Sequence, residues 1–144
     1  MSRVIAHLDL DCFYCQVECE LNPSLRGKPC IVIQYNPTAG LGVVTHEATP
    51  PEGRYNIANI DHNSIIAVSY EARAKGVKRL MSSKVKDARE KCPEVVVVHV
   101  PTKFHKANLT IYRDASARII AFIKEWVGKG VIVEKASIDE VYID

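Results

Sequence analysis

The sequence predicts an α/β fold, and three observations carry that expectation. Residues 4–11 form an apolar run that closes on two carboxylates, Asp9 and Asp11, and leads straight into a segment with helical spacing. A second apolar run over 30–35 follows, which gives the order β-α-β. Between about 106 and 126, Leu109, Tyr112, Ala115, Ile119, Phe122, Ile123 and Trp126 recur at intervals of three and four, so a long helix is expected to lay one face on a sheet.

The opening run reads as a buried strand with acids at its exit, where a sheet can hold a metal at its edge. Asp11 is placed to cap a helix over 12–21, which Asn22-Pro23 stops. Cys12, Cys15 and Cys19 fall on one face of that helix. No second ligand pair follows at zinc-site spacing, so they read as a buried face rather than as zinc ligands. From 36 to 63 the periodicity dissolves among Pro37, Gly40, Gly42, Pro50, Pro51 and Gly53, the pattern of a long surface excursion. Ile65, Ile66, Ala67 and Val68 resume a strand, and Ser69 caps a short helix that Gly76 ends, with Arg79 just beyond it. A helix over 83–91 and a buried strand over 95–100 come next. Gly128 and Gly130 break the long helix, and 131–133 and 141–143 read as strands that pair across a turn near Asp139. A terminal strand with nothing to cover its edge suggests a truncated product or fragment.

A chain of 144 residues is one domain or part of one, and 47% hydrophobic with 25% charged residues is ordinary globular composition. The net charge of +2 gives no strong electrostatic footprint of a nucleic-acid binder, so a polyanion would have to be met by local basic groups. Five cysteines, an odd number, fit reduced thiols better than a disulfide framework, and no signal-peptide pattern opens the chain. An intracellular protein is expected. His7, His46, His62, His99 and His105 share no ligand spacing.

Asp9, Asp139 and Glu140 together would offer three hard oxygen donors from two strands able to pair, a plausible Mg2+ platform for phosphoryl transfer. Adjacent residues of a regular strand point to opposite faces, so irregular backbone is expected at Asp139-Glu140. Five stretches, in order along the chain, make the pattern specific: Asp9-Leu10-Asp11-Cys12-Phe13-Tyr14; Lys28-Pro29-Cys30 with Gln34-Tyr35; Ala67-Val68-Ser69-Tyr70-Glu71-Ala72-Arg73; Lys106-Ala107-Asn108-Leu109 with Tyr112-Arg113; and Ala136-Ser137-Ile138-Asp139-Glu140. In these the sequence resembles the N-terminal part of the Y-family translesion DNA polymerases, most closely their eta type.

The resemblance implies an α/β (α+β) palm on a β-α-β-type sheet with an inserted fingers subdomain. Residues 1–11 and 102–144 would be palm, and 12–101 fingers, including an atypical excursion over 36–64. It implies a translesion polymerase acting past ultraviolet-type damage in the nucleus, with primer-template DNA and a deoxynucleoside triphosphate as partners and clamp-type proteins beside the full-length family members. Asp9, Asp139 and Glu140 as catalytic acids, with the carbonyl of Leu10, would hold two Mg2+ ions, or Mn2+. Tyr14 resembles the aromatic gate that fills the space of a ribose 2′-hydroxyl. Tyr70, Arg73 and Arg79 resemble the triphosphate-binding group, where planar guanidinium forks suit phosphate oxygens. Gln34 and Ile66 resemble positions lining the templating-base pocket.

The sequence departs from the family in its longer excursion over 36–64, in Leu80 where a small polar residue is usual, and in the absence of a further phosphate-binding lysine, of a thumb and of a little finger. Weak polymerisation by this chain alone is therefore expected. A catalytically weak short form that binds nucleotide or a partner is the alternative reading. A nucleotide cyclase, whose palm-like sheet also carries two-metal acids, ranks below both, because Ala136-Ser137-Ile138 stands where that class has a Gly-Gly pair.

Overall fold

The computed structural model describes residues 2–35, 51–80, 82–104 and 106–144. The first half of the expected excursion, residues 36–50, lies outside them, as does His105. In chain order the elements are β1 (Ala6–Asp9), α1 (Phe13–Leu21), β2 (Cys30–Ile33), β3 (Ile65–Val68), α2 (Tyr70–Ala74), α3 (Val85–Lys91), β4 (Val96–His99), β5 (Thr102–Lys103), β6 (Lys106–Ala107), α4 (Thr110–Val127), β7 (Val133–Lys135) and β8 (Glu140–Ile143). They form two three-stranded sheets, ordered β1-β8-β7 and β3-β2-β4, and one small hairpin of β5 and β6.

The β3-β2-β4 sheet is mixed: β2 runs antiparallel to β3 and parallel to β4. All four residues of β2 are buried, because alternate side chains enter different cores. Ile31 and Ile33 meet Ala72, Val85 and Ala88 of α2 and α3. Cys30 and Val32 face Phe13, Val17, Tyr112 and Ala115 of α1 and α4. The far half of α4 packs Ile120 and Ile123 against Val141 and the half-buried Leu8 of the second sheet. Helix α4 therefore touches both sheets, and the chemistry-bearing ends of β1 and β8 are fixed against it.

Several expectations change. The opening strand is mostly exposed, with only Leu8 half-buried, because β1 is an edge strand covered on one face alone. Asp11 does not cap α1; Cys12 takes that place in the left-handed conformation, φ 38°, with no side-chain capping bond among the described residues. The long helix begins at Thr110 rather than at 106, since Lys106 and Ala107 pair with Thr102 and Lys103 in the hairpin. Phe122 and Trp126 do not lie on the sheet; they are 66% and 75% exposed, and the packed stripe is Tyr112, Ala115, Ser116, Ile120 and Ile123. The described part of the excursion is not all surface: Arg54, Ile60 and Asn63 are buried.

The expected punctuation holds elsewhere. The Ser69 hydroxyl accepts from the Ala72 amide (3.2 Å) and from the Cys30 amide (3.0 Å), so one side chain caps α2 and ties it to β2. Gly76 follows α2 at φ 87° and Gly128 follows α4 at φ 84°, both in the region glycine enters without strain. All five cysteines are free thiols. Cys15 and Cys30 are buried, and burial pushes the half-buried Cys19 thiol up to about 11. Among the described residues, no helix is long and apolar enough to cross a membrane.

Candidate active site

Register brings the two distant acidic segments together. β1 pairs antiparallel with β8, placing His7 opposite Tyr142, Leu8 opposite Val141 and Asp9 opposite Glu140. Directly opposed residues share a face, so Leu8 and Val141 look toward α4 while His7, Asp9, Glu140 and Tyr142 occupy the other side. The pairing continues one step, with the Leu10 amide donating to the Asp139 carbonyl at 2.8 Å.

Asp139 lies in a bend over 137–139 and Glu140 opens β8, so the backbone is irregular where the two acids meet. The amides of Ala136 and Ser137 both fall on the Glu140 carbonyl, at 2.9 and 3.2 Å, which closes the turn. The bend re-aims Asp139 and lets one hydroxyl reach both carboxylates: Ser137 Oγ stands 2.9 Å from Asp139 Oδ1 and 3.0 Å from Glu140 Oε2. A hydroxyl has one proton to donate, so the two acids share it. Glu140 also meets His7 Nε2 at 3.3 Å, and the His7 ring stacks on Tyr142 with centroids 4.7 Å apart.

These groups open into a cleft of about 700 Å3. Asp9, Leu10, Tyr14, Ile66, Arg73, Arg79, Asp139 and Glu140 all line it, together with Asp11 and Ser137. The acids come from the β1-β8 sheet, Tyr14 from the first turn of α1, Arg73 from α2, and Arg79 from the segment beyond Gly76. Two expected residues fall outside this lining. Gln34 is exposed just past β2, its amide on Ser64 O (2.9 Å) and its carbonyl accepting from Asn63 Nδ2 (3.2 Å). Tyr70 borders a neighbouring pocket of about 340 Å3 beside Cys12 and Ser69. A hydrogen bond to Asp11 raises its hydroxyl above the usual tyrosine range, and Arg73 stands over its ring at 5.2 Å.

Tyr14 is half-buried and its ring lies 4.5 Å from that of Tyr112. Burial raises the Tyr14 hydroxyl above its ordinary range, Asp139 adds to the rise, and Arg79 and Arg113 pull the other way. Asp139 and Arg79, which both line the cleft, thus act on one phenol in opposite senses. The sequence reading missed three residues that build this site. Tyr112 and Ser137 stand in the stretches that carry the resemblance but were given no role there, and Asp11 was assigned to a cap.

The donor set suits a hard divalent cation: three carboxylates and a backbone carbonyl from Leu10. Neither Asp9 nor Asp139 has a lysine or arginine within ion-pair distance among the described residues, so their charge is not already neutralised. Among the same residues no three His, Cys, Asp or Glu side chains converge closely enough to hold an ion as they stand. Binding therefore requires the carboxylates to turn inward from Ser137 and His7.

Residues 8–144 match the family described as IMS: impB/mucB/samB. The chain is 41% identical over 143 residues to DNA polymerase eta of Arabidopsis thaliana, a match covering 99% of this chain and 17% of that protein. It is 36% identical over 143 residues to DNA polymerase iota of Homo sapiens, covering 99% and 14%. To DNA polymerase IV of Streptococcus pneumoniae it is 36% identical over 146 residues, covering 100% and 32%. The chain thus spans less than a third of the length of these relatives. Among solved structures, DinB from Sulfolobus solfataricus superposes with a TM-score of 0.65 at 28% identity, over 97% of this chain and 31% of that one. A Y-family DNA polymerase chimera gives the same TM-score at 27% identity. Matched over nearly its whole length in sequence and in its palm-like α/β fold, the chain belongs to the impB/mucB/samB family, the Y family of DNA polymerases.

Proposed function

We propose that this chain carries the nucleotidyl-transfer site of a DNA-directed DNA polymerase that copies past damaged template bases. The observation that supports it is the placement of Asp9 opposite Glu140, with Asp139 in the adjoining bend, in one cleft with Tyr14, Arg73 and Arg79. Asp9, Asp139, Glu140 and the Leu10 carbonyl are the residues to hold two Mg2+ ions, or Mn2+. Such ions, when bound, supply Lewis-acid activation of a primer 3′-hydroxyl and stabilise the leaving pyrophosphate.

The side chains of the chain do the rest. Arg73 and Arg79 present forked donors to a triphosphate, with Tyr70 beside Arg73 on the same helix face. Tyr14 occupies the room that a ribose 2′-hydroxyl requires, so a deoxyribose enters and a ribose does not. Ile66 offers an apolar wall for the templating base and Gln34 a polar amide at its margin. In this reading residues 1–11 and 102–144 form the palm and 12–101 the fingers. The partners are primer-template DNA and a deoxynucleoside triphosphate, with clamp-type proteins for the longer relatives. Ultraviolet-type lesions as substrate and the nucleus as location belong to the eta-type reading.

A second reading, nucleotide binding without extension, draws on the mild net charge of +2, since polymerases hold DNA through basic surfaces. Primer extension on plain and thymine-dimer templates separates the two. Extension lost in Asp139→Ala supports the polymerase; Mg2+-dependent nucleotide binding without any extension supports the second reading; neither removes both.

A further inference from the structure

The buried ion pair between Glu18 and Arg54 has no part in the chemistry described so far. Glu18 sits on α1 one turn beyond Tyr14, fully buried, and Arg54 is 2% exposed. Arg54 Nη1 and Nη2 donate to the two Glu18 oxygens at 2.8 Å each, and Nη1 also reaches the His99 carbonyl at 2.9 Å. The Tyr112 hydroxyl donates to Glu18 Oε1 at 2.5 Å, while the Tyr112 ring lies against Tyr14. Tyr14 and Glu18 share a face of α1, and Tyr112 of α4 spans them, its ring on the first and its hydroxyl on the second.

Arg54 belongs to the described part of the expected excursion over 36–63, and the residues beside it are firmly docked. Tyr55 bridges Val98 on the free edge of β4, and its hydroxyl accepts from Asn22 Nδ2 at 3.1 Å. The Asn56 amide donates to Val97 O at 2.8 Å, and the Val97 amide donates back to Asn56 Oδ1 at 3.0 Å. Arg54 is thus held from its own side as well as by Glu18.

We propose that Arg54 is a positioning residue for sugar selection. It holds the Glu18 carboxylate in place from both oxygens, Glu18 fixes the Tyr112 hydroxyl, and the Tyr112 ring holds Tyr14 at the wall of the cleft. The inference rests on the gate reading of Tyr14 given above and extends it to a residue outside the cleft. Without Arg54, a buried carboxylate left with one partner is driven to move toward water. That movement frees the Tyr112 hydroxyl, and Tyr14 gains the room that a 2′-hydroxyl needs.

The test measures equilibrium binding of dATP and of ATP to the whole chain, with Mg2+ and a primer-template ending in a dideoxynucleotide. Wild type, Arg54→Met and Tyr112→Phe are compared, with circular dichroism to check folding. Tyr112→Phe leaves the Arg54–Glu18 pair intact and removes only the hydroxyl. The expected result is a loss of about tenfold in the preference for dATP over ATP in both variants, the scale of one hydrogen bond to a charged group. General loosening would lower the affinity for both nucleotides alike and leave their ratio unchanged. A folded Arg54→Met chain with the wild-type ratio overturns the proposal. If Arg54→Met does not fold, Tyr112→Phe decides, and a wild-type ratio there overturns it equally. A wild-type chain that binds dATP and ATP alike removes the gate itself, a distinct failure that takes this inference with it.

Discussion

Replacing Arg54 by Met is the perturbation whose magnitude follows most directly from the fold. The Arg54 and Glu18 side chains are 3% and 0% exposed, so water does not screen the pair and cannot replace a lost partner. The substitution removes both guanidinium bonds and leaves the carboxylate with Tyr112 alone, at a cost of about 3–5 kcal/mol. That is a large part of the ~5–15 kcal/mol that holds a domain folded. Arg54 Nε is buried with no hydrogen-bond partner among the described residues, and taking both charges out of water carries a desolvation cost, so the pair is not worth its full Coulomb attraction. Removing both charges in Glu18→Met/Arg54→Met therefore costs less than either single change. It still strands the Tyr112 hydroxyl, at about 1–3 kcal/mol. Adding Tyr112→Phe should bring stability back to within about 1–2 kcal/mol of wild type. Urea unfolding followed by far-UV circular dichroism gives all the values, and the double-mutant cycle isolates the coupling. An Arg54→Met cost below about 1 kcal/mol, or strictly additive single and double changes, would refute a buried, mutually dependent pair.

Three further outcomes are expected. Tyr14→Ala should lower the preference for deoxy- over ribonucleotides by at least about tenfold in single-nucleotide insertion or binding, because the space a 2′-hydroxyl needs is opened; an unchanged ratio removes the gate. Burial and the neighbouring Glu18 carboxylate hold the Tyr112 hydroxyl well above its ordinary value of 10.0. Its folded pKa is raised, so its contribution is fully present below pH 10 and is lost as pH climbs beyond it. The alkaline fall in Tm should be shallower in Tyr112→Phe, and identical slopes would contradict that origin. On α4, Ile123→Ala should cost about 2–5 kcal/mol, whereas Trp126→Gln, at an exposed position, should shift stability by no more than about 0.5 kcal/mol; thermal unfolding distinguishes the two.

Much of the fold was legible because period and punctuation agree. The continuous apolar runs of β2 and β3, the Ser69 cap, and the glycines after α2 and α4 act locally, and local signals survive in sequence. What misled was context. The stripe ending in Phe122 and Trp126 has helical spacing, yet under the far half of α4 the packed face runs through Ile119, Ile120, Ile123 and Val127, and spacing alone does not tell how wide a partner surface is. Asp11 has the chemistry of a cap, but Cys12 takes the cap position in the left-handed region and the Asp11 carboxylate meets the Tyr70 hydroxyl instead. Arg54 stands among prolines and glycines that read as surface, and only its burial partners, 36 and 45 residues distant, reveal that it belongs inside. The site followed the same division. The acids and arginines are candidates because a resemblance names them residue by residue; Tyr112 and Ser137 stand in the same stretches, but nothing in the sequence reveals their contacts with Tyr14, Glu18 and the acids.

The central claim is that the β1-β8 pairing brings Asp9, Asp139 and Glu140 to one cleft, where their carboxylates can turn to take up a divalent cation. Titration of the chain with Mn2+, read by electron paramagnetic resonance in the presence of a deoxynucleoside triphosphate and primer-template DNA, tests it most directly. Asp9→Ala, Asp139→Ala and Glu140→Ala should each weaken binding by at least the roughly tenfold that the loss of even an outer-shell partner costs. Mn2+ binding of wild-type strength in all three variants would contradict the account.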